Sequence, residues 1–575
     1  MICNYYGMYI HIIPNRDSPP AVLLRESYRE NGKTKNRTLA NLRGLSELQI
    51  DRIRRVLRDE PLVPIEQSFQ VLRARHHGHV QAVMTAMQRL GMAELIASRP
   101  CRERNLVLAM LVARILAPQT KLATTRWLET TSLPEELSII GASEDSLYDA
   151  MDWLLARQER IERKLSARHL SENSLVMFDL SSTYFEGSSC PLAAFGYNRD
   201  GKAGKMQVNF GLLTDARSCP VSVSVFNGNT SDVKTLLPQV SRTREKFGIQ
   251  NLVMVGDRGM ITQTHINTFR KTPGLGWITA LRSDAIRSLM PEKGFQFGLF
   301  DGRNLAEFTH PDFPSERLVA CHNQDLANRR ARTRLTLLAK TVRRIEPIQR
   351  SVATGRLRGQ DKIGLRVGRV INRYKMAKHF QLEIGERSLD WRINLTNINA
   401  EADLDGIYIV RTNLPADRMD ATDTVRSYKR LAKVERAFRS IKEMDLQVRP
   451  VHHRLEGRVR AHIFLCMLAY YVKWHMAEAW RPLLFAEEPV NVKPSADPVT
   501  TPKRSRVTLD KVQSRRLPDG STTHSFQTLL ADLATITRNT CRTINDLQGA
   551  PTFSLDVPPS PKQHQALELL KTIKL

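Results

Sequence analysis

The stretch SLVMFDLSSTYF at 174–185 decides the fold. Its apolar and aromatic run predicts a strand, and it carries one aspartate, Asp179, directly after Leu175-Val-Met-Phe178. Working outward, MQVNFGLLTD (206–215) and PVSVSVFNG (220–228) predict two further strands across polar, Gly-containing turns. Val233, Leu236, Leu237 and Val240 then mark a helix ending at Gly248, with Pro238 as a possible kink. LVMVGDRG (252–259) is a short apolar strand of the kind buried on both faces of a mixed sheet. After another helix, GWITAL (276–281) predicts a fifth strand. The resulting order, β-β-β-α-β-α-β, places the chain in the α/β class.

That order is the order of an RNase H-like core, a mixed sheet sandwiched between helices. With the core in two parts, seven segments are expected. Residues 1–44 form a basic β-hairpin unit, in which Ala21–Tyr28 and Lys33–Ala40 pair across Asn31-Gly32. Residues 45–172 are helical in pattern, with Leu147, Met151, Leu154 and Leu155 behind the start signal Ser143-Glu-Asp145, and offer either a DNA-binding region or a scaffold. The core runs over 173–282 and 404–484. It is interrupted by an insertion at 283–403, which holds a basic helical run and the strand-like pieces of KIGLRVGRVINRY (362–374). A Pro/Ser/Thr-rich linker is expected at 485–525, then a closing helix with a tail at 526–575.

Composition narrows the partners. The 575 residues include 86 Lys and Arg against 59 Asp and Glu, a net charge of +27 that repels itself unless a polyanion is a working partner. Basic residues are spread along the chain rather than flanking an anchor, which argues against a membrane surface. The N-terminus lacks a signal-peptide pattern, and the apolar run HIFLCMLAYYVKW (462–474) is too short to cross a bilayer. Seven scattered cysteines without a C-x-x-C pair argue against a zinc site or disulfide framework and fit a reducing cytoplasm.

Cutting and joining a phosphodiester needs an activated hydroxyl, a stabilised leaving oxygen and charge relief at phosphorus. Two divalent ions ~3.5–4 Å apart provide all three, and carboxylates hold hard Mg²⁺ or Mn²⁺. Asp179 lies within an apolar strand, directly after Leu175–Phe178, and Asp257 ends another; in this topology those two strands are neighbours. Either aspartate alone reads as a loop cap; the pair reads as a site. A third carboxylate, Glu435, lies on a helix running from about 421 to 442. Tyr428, Glu435 and Lys442 share one face by seven-residue spacing, with Arg439 beside it. Taken alone, this helix also reads as an ordinary amphipathic one.

Here the sequence resembles the DDE transposases of bacterial insertion sequences, in the group with a Tyr-x2-Arg-x3-Glu-x6-Lys signature. Tyr428, Glu435 and Lys442 match that spacing; the arginine position is Leu431, with Arg430 one residue early and about 100° away around the helix. The likeness extends through DLSSTYF, GNTSD (228–232), GDRG (256–259) and VHHRLEGRVRAH (451–462). The resemblance implies a catalytic and metal-binding triad of Asp179, Asp257 and Glu435, with two Mg²⁺ or Mn²⁺ ions. It also implies an insertion between the second and third carboxylates, whose separation of 178 residues leaves room for one. Relatives nick an element end, form a hairpin and reopen it before joining to target DNA. Double-stranded DNA is the implied partner, through terminal inverted repeats and target, for a homodimer in a bacterial cytoplasm at the nucleoid. Tyr428, Arg439, Lys442 and Arg258 are the expected DNA contacts, with a turn-stabilising role equally open for Arg258. Tyr408, or Trp391 nearby, is the candidate for stacking on a flipped base; a core aromatic is the plainer reading of both.

Asn229, Thr230 and Asp232 belong to the GNTSD motif, and Thr230 to Asp232 also read as a cap of the following helix; His452, His453, His462 and His475 read as packing and DNA contact rather than metal ligands. Two other functions remain open to the sequence: a nuclease that cuts without joining, and a non-catalytic DNA-binding descendant.

Overall fold

The computed structural model describes residues 7–15, 19–60, 69–197, 199–289, 304–486, 497–500, 504–543 and 552–575. The chain divides into two compact units, Met1–His76 with Ile536–Pro558, and His77–Thr535 with Pro559–Leu575.

In the first unit the hairpin forms as the Asn31-Gly32 turn predicts. Strands β2 (Ala21–Glu30) and β3 (Lys33–Asn41) are antiparallel, Glu30 pairs Lys33, and both turn residues have positive φ. The sequence reading did not find β1 (Met8–Ile13), which completes a three-stranded sheet on the other side of β2. A helix, Glu47–Leu57, follows behind a Ser46–Gln49 capping box. Strand β4 (Phe69–His76) then breaks into the stretch expected to be wholly helical.

The second unit is built on the sheet that the opening stretch announced. Strands β5 (Ser174–Tyr184), β6 (Gln207–Thr214) and β7 (Pro220–Asn227) run as an antiparallel meander. Strand β8 (Leu252–Val255) pairs parallel to β5 on its other side, and β9 (Leu275–Ala280) pairs parallel to β8. The spatial order, third-second-first-fourth-fifth, is that of the RNase H-like sheet. Strands β6, β8 and β9 are buried along their whole length, which explains why they lack polar alternation. The Phe178 ring lies over Gly211 of β6, where a Cβ would come within 2.4 Å of it. The helix Val233–Phe247 passes through Pro238 and ends at Gly248 in the left-handed region.

The boundaries of the interruption differ from the expectation. Strands β10 (Leu305–Phe308) and β11 (Arg317–His322) are not part of an appended segment. With β14 (Ile407–Thr412) they extend the same sheet to eight strands, in the order β10-β11-β14-β9-β8-β5-β6-β7. Between β11 and β14 lie helices Gln324–Ala353 and Gln360–Tyr374, the hairpin β12 (Phe380–Ile384) with β13 (Leu389–Ile393), and helix Leu395–Ala402. The KIGLRVGRVINRY segment is thus helical rather than strand-like. Ile363, Val367 and Ile371, four apart, form its buried face with Leu338, Ile345 and Val352 of the long helix.

Helix Glu456–Ala479 is buried on all sides along its central run, Ala461–Val472, as expected of a core element. Helices Arg102–Leu116 and Glu144–Leu155 pack against it, so these parts of the 45–172 region serve as scaffold. Among the described residues no single helix is long and apolar enough to cross a membrane. The expected linker contains a helix, Arg506–Ser514. The closing helix forms at Phe526–Leu533. Strands β15 (Thr537–Thr543) and β16 (Thr552–Asp556) lie beyond it, and β15 pairs with β4 to close a second small sheet of the first unit.

Candidate active site

The register of β5 against β8 sets the first two carboxylates. Met177 pairs Val255, so Asp179 and Asp257, each two residues further on, leave neighbouring parallel strands at the same level. Asp179 lies within β5, half-buried; its Oδ1 accepts from the Leu180 amide at 2.8 Å. Asp257 is exposed just beyond β8, and its Oδ1 accepts the amides of Gly259 at 3.0 Å and Met260 at 2.7 Å. Those bonds hold the GDRG turn and leave Oδ2 unengaged by them.

Glu435 comes from helix Leu431–Arg439, which packs on β5 and sets Phe438 against Phe210 of β6, ring centroids 5.3 Å apart. Glu435 itself is exposed. Burial pushes the Asp179 carboxyl up to about 7; Asp257 and Glu435 add to the shift, and Arg199 opposes it. Tyr428 lies in the same field: burial, Asp257 and Glu435 raise its hydroxyl to about 12, and Arg258 lowers it. Asp179, Asp257, Glu435 and Tyr428 therefore converge, with exposed Arg258 beside them. Three hard oxygen donors, short of compensating positive charge, suit a divalent cation.

The expected helix over 421–442 is not continuous. It is broken at Arg430, between Ala421–Lys429 and Leu431–Arg439, and ends in a π-helical turn, Ser440–Met444. That turn changes the role of Lys442. Its ammonium is buried, 2.6 Å from Asp200 and 3.0 Å from the Ser181 hydroxyl, with Arg449 also on Asp200. Lys442 is thus bound internally instead of free for phosphate. Arg439 is exposed, whereas Arg430 lines a cleft elsewhere and does not stand in for the signature arginine.

Asp200 and Arg199 were missed by the sequence reading, because they sit in a turn between β5 and β6 without periodic signal. Their partners were visible: Asp232 of the GNTSD motif ion-pairs with Arg199 and makes no side-chain cap bond, contrary to the capping reading. Asn209 of β6 holds the same motif through the carbonyls of Gly228 and Thr230.

The stacking candidates fall elsewhere. Tyr408 belongs to β14 in the central sheet, opposite Cys321, with its hydroxyl enclosed. Burial beside Cys321 and Tyr428 pushes that hydroxyl well above its usual range. Trp391 packs on Phe380 within the interruption, and its indole N–H donates to Gln349 at 3.1 Å. Both are packing aromatics.

The histidines form two separate clusters. His453 and His462 lie 5.0 Å apart near Arg114 and Lys121; burial and those cations hold His453 at about 3. His475 lies with His169 and Cys219, whose donor atoms fall within 4.8 Å of one another. The two ring nitrogens of His169 are already hydrogen-bonded, to the Tyr471 hydroxyl at 2.9 Å and Arg217 at 3.1 Å. The six described cysteines are unpaired.

Comparison with known proteins places this geometry. The family model for the Transposase DDE domain matches residues 179–472, from the first carboxylate to beyond the third. The model for the IS1634 family transposase N-terminal domain matches residues 10–61, the hairpin and first helix. No curated protein matches the chain. Among solved structures, a piggyBac transposase synaptic complex with hairpin DNA aligns at 7% identity and a TM-score of 0.35, covering 80% of this chain and 76% of that one. DDE transposases bind DNA and generally use divalent metal ions. With just over half its length matched, the chain belongs to the DDE transposases of insertion sequences.

Proposed function

We propose that Asp179, Asp257 and Glu435 are the metal-binding catalytic triad of this transposase, which cuts at insertion-sequence ends and joins them to target DNA. The observation that carries the reading is the parallel register of β5 and β8, which sets two aspartates side by side under the Glu435 helix. The three carboxylates would hold two Mg²⁺ or Mn²⁺ ions; Asp257, with one oxygen committed to its turn, offers the other. Bound there, the ions supply charge relief at phosphorus and acidify the attacking water or 3′-hydroxyl.

The chain's own groups do the rest. Arg258 and Tyr428 flank the carboxylates and position a phosphate beside them, while Arg439 contacts the flanking backbone. Asp200 fixes Lys442 against Ser181, two residues along β5 from Asp179, and so braces the end of the signature helix. The Tyr428–Glu435–Lys442 spacing supports the hairpin route of its signature group. Synapsis of two ends calls for a homodimer, and the DNA substrate for a cytoplasmic, nucleoid-associated protein.

The test is cleavage of labelled DNA bearing the element's own end, with Mg²⁺ or Mn²⁺ against EDTA, on a denaturing gel. Metal-dependent nick, hairpin and joined bands are expected. Nicks without joining would replace the reading by a nuclease, and binding without cutting by a non-catalytic DNA-binding protein.

A further inference from the structure

The signature helix has a second charged face. Lys433 lies two residues from Glu435, about 200° around the helix, and Arg436 one residue, about 100°. Together with Arg430 at the helix break, these side chains line a cleft of about 620 Å³ behind the carboxylates. Its other walls are the β6–β7 turn with Arg217, the end of helix Glu456–Ala479 with Lys473 and Trp474, Arg481, and the C-terminal residues Thr572–Lys574.

Positive charge there exceeds what the protein neutralises. Arg217 pairs with Asp215 at 3.0 Å, Lys473 with Asp445 at 2.6 Å and Arg481 with Glu478 at 2.7 Å. Among the described residues, Arg430, Lys433 and Arg436 have no carboxylate within 4.0 Å, and Glu478 is the one acid in the cleft wall. Burial lowers the Lys433 ammonium, and Arg430, Arg481 and Arg436 lower it further, a like-charge crowd that an anion would relieve. Trp474 adds an aromatic surface with the Arg217 guanidinium 5.5 Å from its ring. The volume suits a few nucleotides of one strand, not an engulfed duplex.

We propose that this cleft is a second DNA-binding site, holding the sugar–phosphate backbone of a strand other than the one being cut, on the opposite side of the signature helix from Asp179, Asp257 and Glu435. The proposal rests on the chain being a transposase, and not on the assignment of the triad. A segment held there would be steered and retained by charge, and would lose affinity with salt.

The test uses the full chain and four proteins: wild type, Arg430→Gln/Lys433→Gln/Arg436→Gln, Arg430→Lys/Arg436→Lys, and Glu435→Gln. Binding of a fluorescent duplex without the element end is followed by anisotropy from low to high salt in EDTA. Loss of three phosphate contacts should flatten the slope of log K against log salt by about 2–3 and weaken binding at least tenfold near 0.1 M salt. Glu435→Gln should leave that slope unchanged, which separates the cleft from the triad. The charge-keeping Arg430→Lys/Arg436→Lys protein should restore the slope. If the triple variant does not fold, Lys433→Gln serves alone, with a slope change of about 1. An unchanged slope in folded variants overturns the proposal.

Discussion

Asp179 has few compensating charges around it. Burial, then Asp257 and Glu435, hold its carboxyl near 7 against an ordinary value of 3.8, so the folded chain binds a proton there that the unfolded chain has released. The sign follows: stability from this group is full below about 3.8 and is lost as pH rises to about 7. Asp179→Asn should therefore raise the melting temperature of the metal-free protein, more at pH 8 than at pH 5, and added Mg²⁺ should narrow the gap. A variant that melts lower at pH 8 would mean that the carboxylate is not under strain. Asp200 is enclosed instead between two cations, Lys442 and Arg449. Asp200→Ala leaves two cations without it and should cost about 3 kcal/mol in denaturant unfolding; a cost below about 1 kcal/mol would show that water or Glu443 replaces it. Asp179 and Asp257 were legible because a charged residue within or just beyond an apolar strand demands a reason. Asp200 was not, since a turn aspartate is ordinary until its buried partners are known.

At the scale of elements, the five core strands could be read because each is short, apolar and bounded by turns. Residues 360–374 were misread for a physical reason. Gly364 and Gly368 break up the segment for the eye, yet both stand where added side chains would meet open space, while Ile363, Val367 and Ile371 pack at helical spacing. Tertiary packing outweighed local propensity there. The signature helix shows the converse. Seven-residue spacing correctly brought Tyr428 and Glu435 together, but the break at Arg430 and the π turn at Ser440 sent Arg430 to the rear cleft and Lys442 inward. What holds Glu435 over the sheet is its helix's apolar side. Phe438→Ala opens a cavity against Phe210 and should cost about 3–5 kcal/mol while lowering DNA cleavage. Phe438→Leu should keep most of both; equal loss from the two would assign Phe438 a role beyond packing.

At the scale of the molecule, the interruption is smaller than the sequence suggested, because β10, β11 and β14 complete one eight-stranded sheet from both sides of it. Strand pairing across 84 intervening residues, from His322 to Ile407, leaves no local sequence signal. The charge of +27 did forecast a polyanion, and the structure gathers part of it around the signature helix on both faces. The central claim is that three carboxylates separated by 78 and 178 residues act as one centre. Its most direct test is Mn²⁺-dependent joining of a labelled element end by Asp179→Asn, Asp257→Asn and Glu435→Gln, each compared with wild type at matched DNA binding. All three should bind the end normally and form no joined product. Wild-type joining by any one of them would remove that residue from the centre and contradict the account.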